Sequence, residues 1–133
     1  MNVRDWIHVR DHCTAIHKVL RHGKIGEIYN VGARQEMPNL DIVRLILKEL
    51  GKGEDLITFV KDRPGHDRRY AIDSSKIERE LGWQPEVPFA RGIKDTIEWY
   101  RRNSAWVEHV RSGEYLSYYQ RMYRHRQRTL SEL

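Results

Sequence analysis

The chain has 133 residues, 39% of them hydrophobic, a length and composition that suit one domain with a core and exclude wholesale disorder. A formal net charge of +5 favours anionic partners such as nucleotides, phosphosugars, nucleic acid or a membrane surface, without choosing among them. The single cysteine, Cys13, excludes an intramolecular disulfide framework, and no apolar run reaches the length of a transmembrane helix.

Taken in order, residues 3–9 alternate around Val3, Asp5, Ile7 and Val9 and predict a short strand. A helix is expected over 11–22, with Cys13, Ile16, Val19 and Leu20 as its apolar stripe and Gly23 at its end. Cys13 on that stripe reads as a small core residue. Residues 27–31 predict a second strand, and 33–38 a loop. Asn39 is the expected N-cap of a helix over 40–50, whose apolar stripe is Leu40, Val43, Ile46, Leu47 and Leu50, with Gly51 as its C-cap. Leu56 to Val60 predicts a third strand.

That strand leads into Asp62-Arg63-Pro64-Gly65-His66-Asp67-Arg68-Arg69-Tyr70, in which all but Pro64 and Gly65 can ionise. Pro64 followed by Gly65 predicts a type II turn. So charged a turn makes a poor core element and a good platform for presenting guanidinium groups to an anion. Tyr70 to Ile72 reads as a brief extended exit, and Asp73 or Ser74 caps a short helix over 75–81 that Gly82 ends. Pro85 and Pro88 stiffen a connector, followed by helices over 89–102, about 104–111 and about 114–125. On the first of these, Phe89, Ile93, Ile97 and Tyr100 share a face. The basic tail 124–128 reads as frayed. The whole is a mixed α/β chain with a helical C-terminal half.

Several chemistries find no support in the residues. No glycine-rich turn joins a strand to a helix as a dinucleotide or triphosphate cradle requires. No tyrosine has a lysine four residues on, which excludes the Tyr-x-x-x-Lys pair of short-chain dehydrogenases. His8, His12 and Cys13 lack the spacing of a zinc motif, so no metal site is expected. Arg121, Arg124, Arg126 and Arg128 could meet phosphates, but no nucleic-acid-binding module accompanies them. The four tryptophans read as packing residues. The N-terminus has no apolar signal region, and a cytoplasmic location is expected.

DRPGHDRRYAID (62–73), with Lys76-Ile77 and residues 80–83, resembles the C-terminal part of dTDP-glucose 4,6-dehydratases, in the nucleotide-sugar branch of the extended short-chain dehydrogenases. So do Val3 to Trp6 with Val9, Asp11 and His12; Gly26 to Gly32; Glu36 with Asn39-Leu40; Thr96 to Tyr100; and Ser112-Gly113 with Tyr115. Ala33 replaces a glycine common in that family. The resemblance implies a substrate-binding portion without the Rossmann NAD domain, spanning 1–123 and followed by the basic tail 124–133. In the complete enzyme, NAD takes a hydride from C4 of the glucose, water is lost across C5 and C6, and the hydride returns to C6. By similarity, Arg4 meets the diphosphate, Asn39 lies near the nucleotide, Asp62, Arg63, Pro64, Gly65 and His66 form the substrate loop, and Tyr123 is a late substrate contact.

The same resemblance implies no catalytic residue here and no cofactor bound by this chain alone. The implied partners are a dTDP-sugar and, if it is encoded separately, the missing Rossmann half, with a homodimer left open for the complete enzyme. It also implies that the helix over 11–22 and the strand over 27–31 lean on the Rossmann domain, so the isolated chain exposes an apolar face. A stand-alone nucleotide-sugar-binding module and a basic nucleic-acid-binding protein are the alternatives.

Overall fold

The computed structural model describes residues 2–60, 64–113 and 115–117. The chain divides into two compact units, Met1–Asp95 and Thr96–Leu133.

The first unit is built around β1 (Val3–Asp5), which pairs antiparallel with β2 (Glu36–Pro38) in the register Val3↔Pro38, Arg4↔Met37 and Asp5↔Glu36. An isolated parallel bridge joins Val3 to Arg69. The expected strand over 3–9 thus ends at Asp5, because Val9 already begins helix α1 (Val9–His22). His8 caps that helix: its Nδ1 accepts from the Arg10 amide at 3.3 Å. The expected loop over 33–38 contains β2, and Pro38 at its end costs no pairing because it sits where the strand stops.

Residues 27–31 form no strand, and Glu27 N–H instead bonds the Lys24 carbonyl at 3.2 Å. Leu56 to Val60 is likewise not a strand: a 3-10 turn at Glu54–Leu56 gives way to irregular chain. β-branched and aromatic residues favour a strand only where a neighbour supplies the hydrogen bonds.

Helix α2 (Asn39–Glu49) starts one residue earlier than expected, with Pro38 as N-cap and Asn39 as its first residue. Its stripe is also rotated. Ile42 is the buried residue, whereas Val43 and Leu50 are exposed. Leu50 is the C-cap and Gly51 comes next in the left-handed region, with Lys52 N–H bonded to the Leu47 carbonyl at 2.8 Å and Gly51 N–H to that of Lys48 at 3.1 Å.

The core is small: Ala15 of α1, Ile77 of α3 (Ser75–Leu81) and Trp83, with Ile7, Val19, Tyr29, Val31 and Leu81 packed around them. Trp83 also donates through Nε1 to the Thr14 hydroxyl at 3.1 Å. Asp11, only 2% exposed, accepts the Val87 N–H at 3.0 Å and so ties the proline-stiffened connector to the start of α1. Ser74 precedes α3 without a side-chain cap bond, and Asp73 instead accepts the Ser75 amide at 2.9 Å. That hydrogen bond holds the Asp73 carboxyl below its ordinary range.

Cys13 is exposed rather than a core residue. It continues an exposed stripe along α1 made by Val9, Ile16 and Leu20, the last 81% exposed. Ile25 and Ile28 just beyond the helix are exposed as well. The apolar face expected on this helix is therefore present.

Lys76 of α3 pairs with Glu27 at 2.6 Å and also donates to the Ile28 carbonyl. The hydrogen bond from Lys76, then its charge, lowers the Glu27 pKa below the ordinary 4.5. The stabilisation from Glu27 is accordingly complete above 4.5 and is lost as the pH falls through the lowered value. Urea-unfolding midpoints at neutral and acid pH should therefore fall less on acidification in Glu27→Gln than in the parent chain.

Helix α4 (Phe89–Arg102) begins in the first unit. There Gly92 is buried, and a Cβ on it would come within 3.1 Å of both the His8 ring and Val87. The second unit contains the end of α4 and helix α5 (Ser104–Ser112). Trp99 packs edge-on against Tyr100 and Trp106, with ring centroids 5.2 and 5.1 Å apart. Tyr100 is exposed, whereas Ile93 and Ile97 are half-buried. Asn103 turns the chain between the helices by donating twice, from backbone and side chain, to the Trp99 carbonyl. Tyr115 to Ser117 are helical, and the rest of the helix expected over 114–125 lies outside the described residues, as does the basic tail.

Candidate functional site

The candidate site gathers on β1. Backbone bonds from Val3 N–H to the Arg68 carbonyl (2.7 Å) and from Tyr70 N–H to the Val3 carbonyl (3.1 Å) dock the charged turn against the strand. This registry sets Tyr70 and His66 beside Arg4, although more than sixty residues separate them in sequence. Glu36 of β2 fixes the same turn by gripping Arg69 with two hydrogen bonds, at 2.5 and 2.7 Å. That grip raises the Arg69 pKa.

The Arg4 guanidinium donates to its own neighbour, the Val3 carbonyl, at 2.7 Å and to the Asp67 carbonyl at 3.3 Å. Its Nη2 lies 3.0 Å from His66 Nε2, and its central carbon is 4.3 Å from the centre of the Tyr70 ring. Arginine can only donate, so His66 Nε2 is the acceptor in this contact. The other ring nitrogen, Nδ1, lies 3.3 Å from the Asn2 side-chain amide nitrogen. All the groups holding Arg4 are uncharged: two carbonyls, an imidazole nitrogen and an aromatic face. No carboxylate among the described residues forms an ion pair with it.

Asn39 reaches the same neighbourhood through Asn2, whose carbonyl accepts the Asn39 N–H at 2.9 Å. Its role as N-cap is not realised, and its Oδ1 is buried without a hydrogen-bond partner. A buried acceptor left open is costly to the fold and suits a donor brought by a ligand. Asn39→Ala should consequently cost the chain under about 0.5 kcal/mol in urea unfolding, since it breaks no side-chain hydrogen bond, while weakening any ligand bound there.

Of the expected site residues, Arg4, Asn39 and His66 converge around Asn2 and β1. Pro64 and Gly65 form the exposed tip, with Gly65 at φ +67, as the expected turn requires. Asp62, Arg63 and Tyr123 lie outside the described residues. Sequence reasoning passed over Asn2, Glu36 and Tyr70 as site-builders. A cation paired with an aromatic residue could have flagged Tyr70, but only with the Val3–Arg69 bridge in hand.

The turns from β1 to α1 and from β2 to α2 contain no glycine, so neither makes a pyrophosphate cradle. Among the described residues, no group of three or more His, Cys, Asp or Glu could hold a metal ion. Nor is any described helix long and apolar enough to cross a membrane.

The chain is 49% identical over 132 residues to a dTDP-glucose 4,6-dehydratase of Shigella flexneri, covering 94% of this chain and 37% of the relative. It is 50% identical over 113 residues to one from Streptomyces niveus, covering 85% of this chain and 34% of that protein. The chain thus spans little more than a third of the length of these relatives. Its helix-rich α/β fold is similar to the crystal structure of a Bacillus anthracis dTDP-glucose 4,6-dehydratase in complex with NAD, at a TM-score of 0.73 and 46% identity over 80% of this chain and 33% of the other. The enzyme of the same name from Streptomyces venezuelae, with NAD and TYD bound, matches at a TM-score of 0.74 and 47% identity over 79% of this chain and 33% of that one. A family model described as GDP-mannose 4,6 dehydratase matches residues 1–96, and the chain belongs to that family.

Proposed function

We propose that this chain is the nucleotide-sugar-binding portion of a dTDP-glucose 4,6-dehydratase and is inactive by itself. The observation that carries this reading is Arg4, a guanidinium fixed from several sides with no carboxylate among the described residues to neutralise it. Such a group is poised for an anion, and the planar fork suits diphosphate oxygens. The open acceptor on Asn39 supplies a second polar contact, for a donor on the nucleotide. Pro64, Gly65 and His66, with Asp62 and Arg63 before them, make up the substrate loop, and Tyr123 adds a late contact. On this reading the binding region extends to about residue 123, with the basic tail beyond it.

Bound NAD would supply hydride transfer in the complete enzyme. The residues that hold it and that move the protons belong to the remaining, Rossmann portion. The exposed stripe of Val9, Cys13, Ile16 and Leu20 supports this division, because an apolar helix face that no described residue covers is a surface made to be covered. Residues 27–31, which have the composition of a strand but form none among the described residues, suit pairing with a strand of that portion.

Supplied with NAD and dTDP-glucose, the purified chain is expected to produce no 4-keto-6-deoxy sugar nucleotide above background. Robust turnover would contradict the assignment of catalysis to another portion.

A further inference from the structure

Two features of Tyr70 go beyond support of the turn. Its ring lies under the Arg4 guanidinium, and its hydroxyl donates to the Asp67 carboxylate at 2.7 Å. Asp67 is also the residue whose backbone carbonyl Arg4 already touches at 3.3 Å. Rotation of its side chain would therefore put a carboxylate within reach of the guanidinium. The neighbouring Arg69 shows the effect of an available carboxylate, since Glu36 takes it in a bidentate pair.

We propose that Tyr70 is a positioning residue for anion recognition: its ring supports the Arg4 guanidinium while its hydroxyl holds the Asp67 carboxylate away from that charge. The cation is thereby kept for an anionic ligand of the nucleoside diphosphate class. This rests on the function proposed above. A cation–π contact fixes the guanidinium without consuming its charge, whereas an ion pair with Asp67 would compete directly with phosphate oxygens.

The test uses the full chain in four forms: the parent, Tyr70→Phe, Asp67→Asn and Tyr70→Phe/Asp67→Asn. Calorimetric titration with dTDP should show binding weakened roughly fivefold in Tyr70→Phe, the scale of one partly exposed ion pair. The ring is still present in that variant, so the loss reports the freed carboxylate. Adding Asp67→Asn should restore affinity to within about twofold of the parent, a coupling that a merely structural role for the hydroxyl would not produce. In parallel, the Arg4 Nε–Hε NMR signal, recorded without nucleotide, should move in Tyr70→Phe and return in the double variant. Equal dTDP affinities for Tyr70→Phe and the double variant would overturn the proposal, as would an Arg4 signal unchanged by Tyr70→Phe. If the parent binds no dTDP, the proposed function fails, and the Arg4 signals still decide the role of Tyr70.

Discussion

Trp83→Ala is expected to destabilise the first unit by about 3–5 kcal/mol, the cost of deleting a large buried aromatic side chain. Trp83 is 4% exposed and, among the described residues, belongs to a core cluster whose other buried members are Ala15 and Ile77. Neither neighbour has bulk to spare for filling the space. The substitution also leaves the Thr14 hydroxyl without the indole N–H that now reaches it at 3.1 Å. Domains of this size are stable by roughly 5–15 kcal/mol, so a loss on this scale consumes a large share of the total. Urea unfolding followed by far-ultraviolet circular dichroism measures it. Trp83→Phe separates the two causes: it keeps most of the apolar volume and loses the hydrogen bond, and should cost about 1–2 kcal/mol.

Arg4→Ala is expected to weaken dTDP binding by about 10- to 100-fold, the usual range for losing charge-assisted hydrogen bonds to phosphate. The substitution also releases His66 and the Asp67 carbonyl, so part of the effect comes from a loosened turn. Arg4→Lys distinguishes the contributions. It keeps the positive charge but not the planar fork that bridges His66, two carbonyls and the Tyr70 ring. Its affinity should therefore lie between those of the parent and Arg4→Ala. Equilibrium dialysis with labelled dTDP gives all three values.

The helices were the legible part of the fold because their signals are local. Periodicity and caps marked α3 and α4 at their observed bounds, and α1, α2 and α5 to within a few residues. Periodicity tells which residues share a face, not what covers it. Cys13, Ile16 and Leu20 share one on α1, and that face is exposed.

The strands were poorly legible because pairing is not local. Residues 27–31 have the composition of a strand but form none among the described residues, whereas Glu36-Met37-Pro38 has little strand character and pairs because β1 lies alongside. Candidate site residues could be named through the resemblance to dTDP-glucose 4,6-dehydratases, but their arrangement could not. That Arg4 meets His66 and rests on Tyr70 depends on the Val3–Arg69 bridge. Nothing in either segment alone announces that bridge.

The central claim, that this chain recognises a nucleotide sugar through its diphosphate, is tested most directly by calorimetric titration of the purified chain with dTDP and with duplex DNA at the same ionic strength. The account predicts saturable one-site binding of dTDP and no saturable heat with DNA. Saturable binding of DNA without any response to dTDP would contradict it.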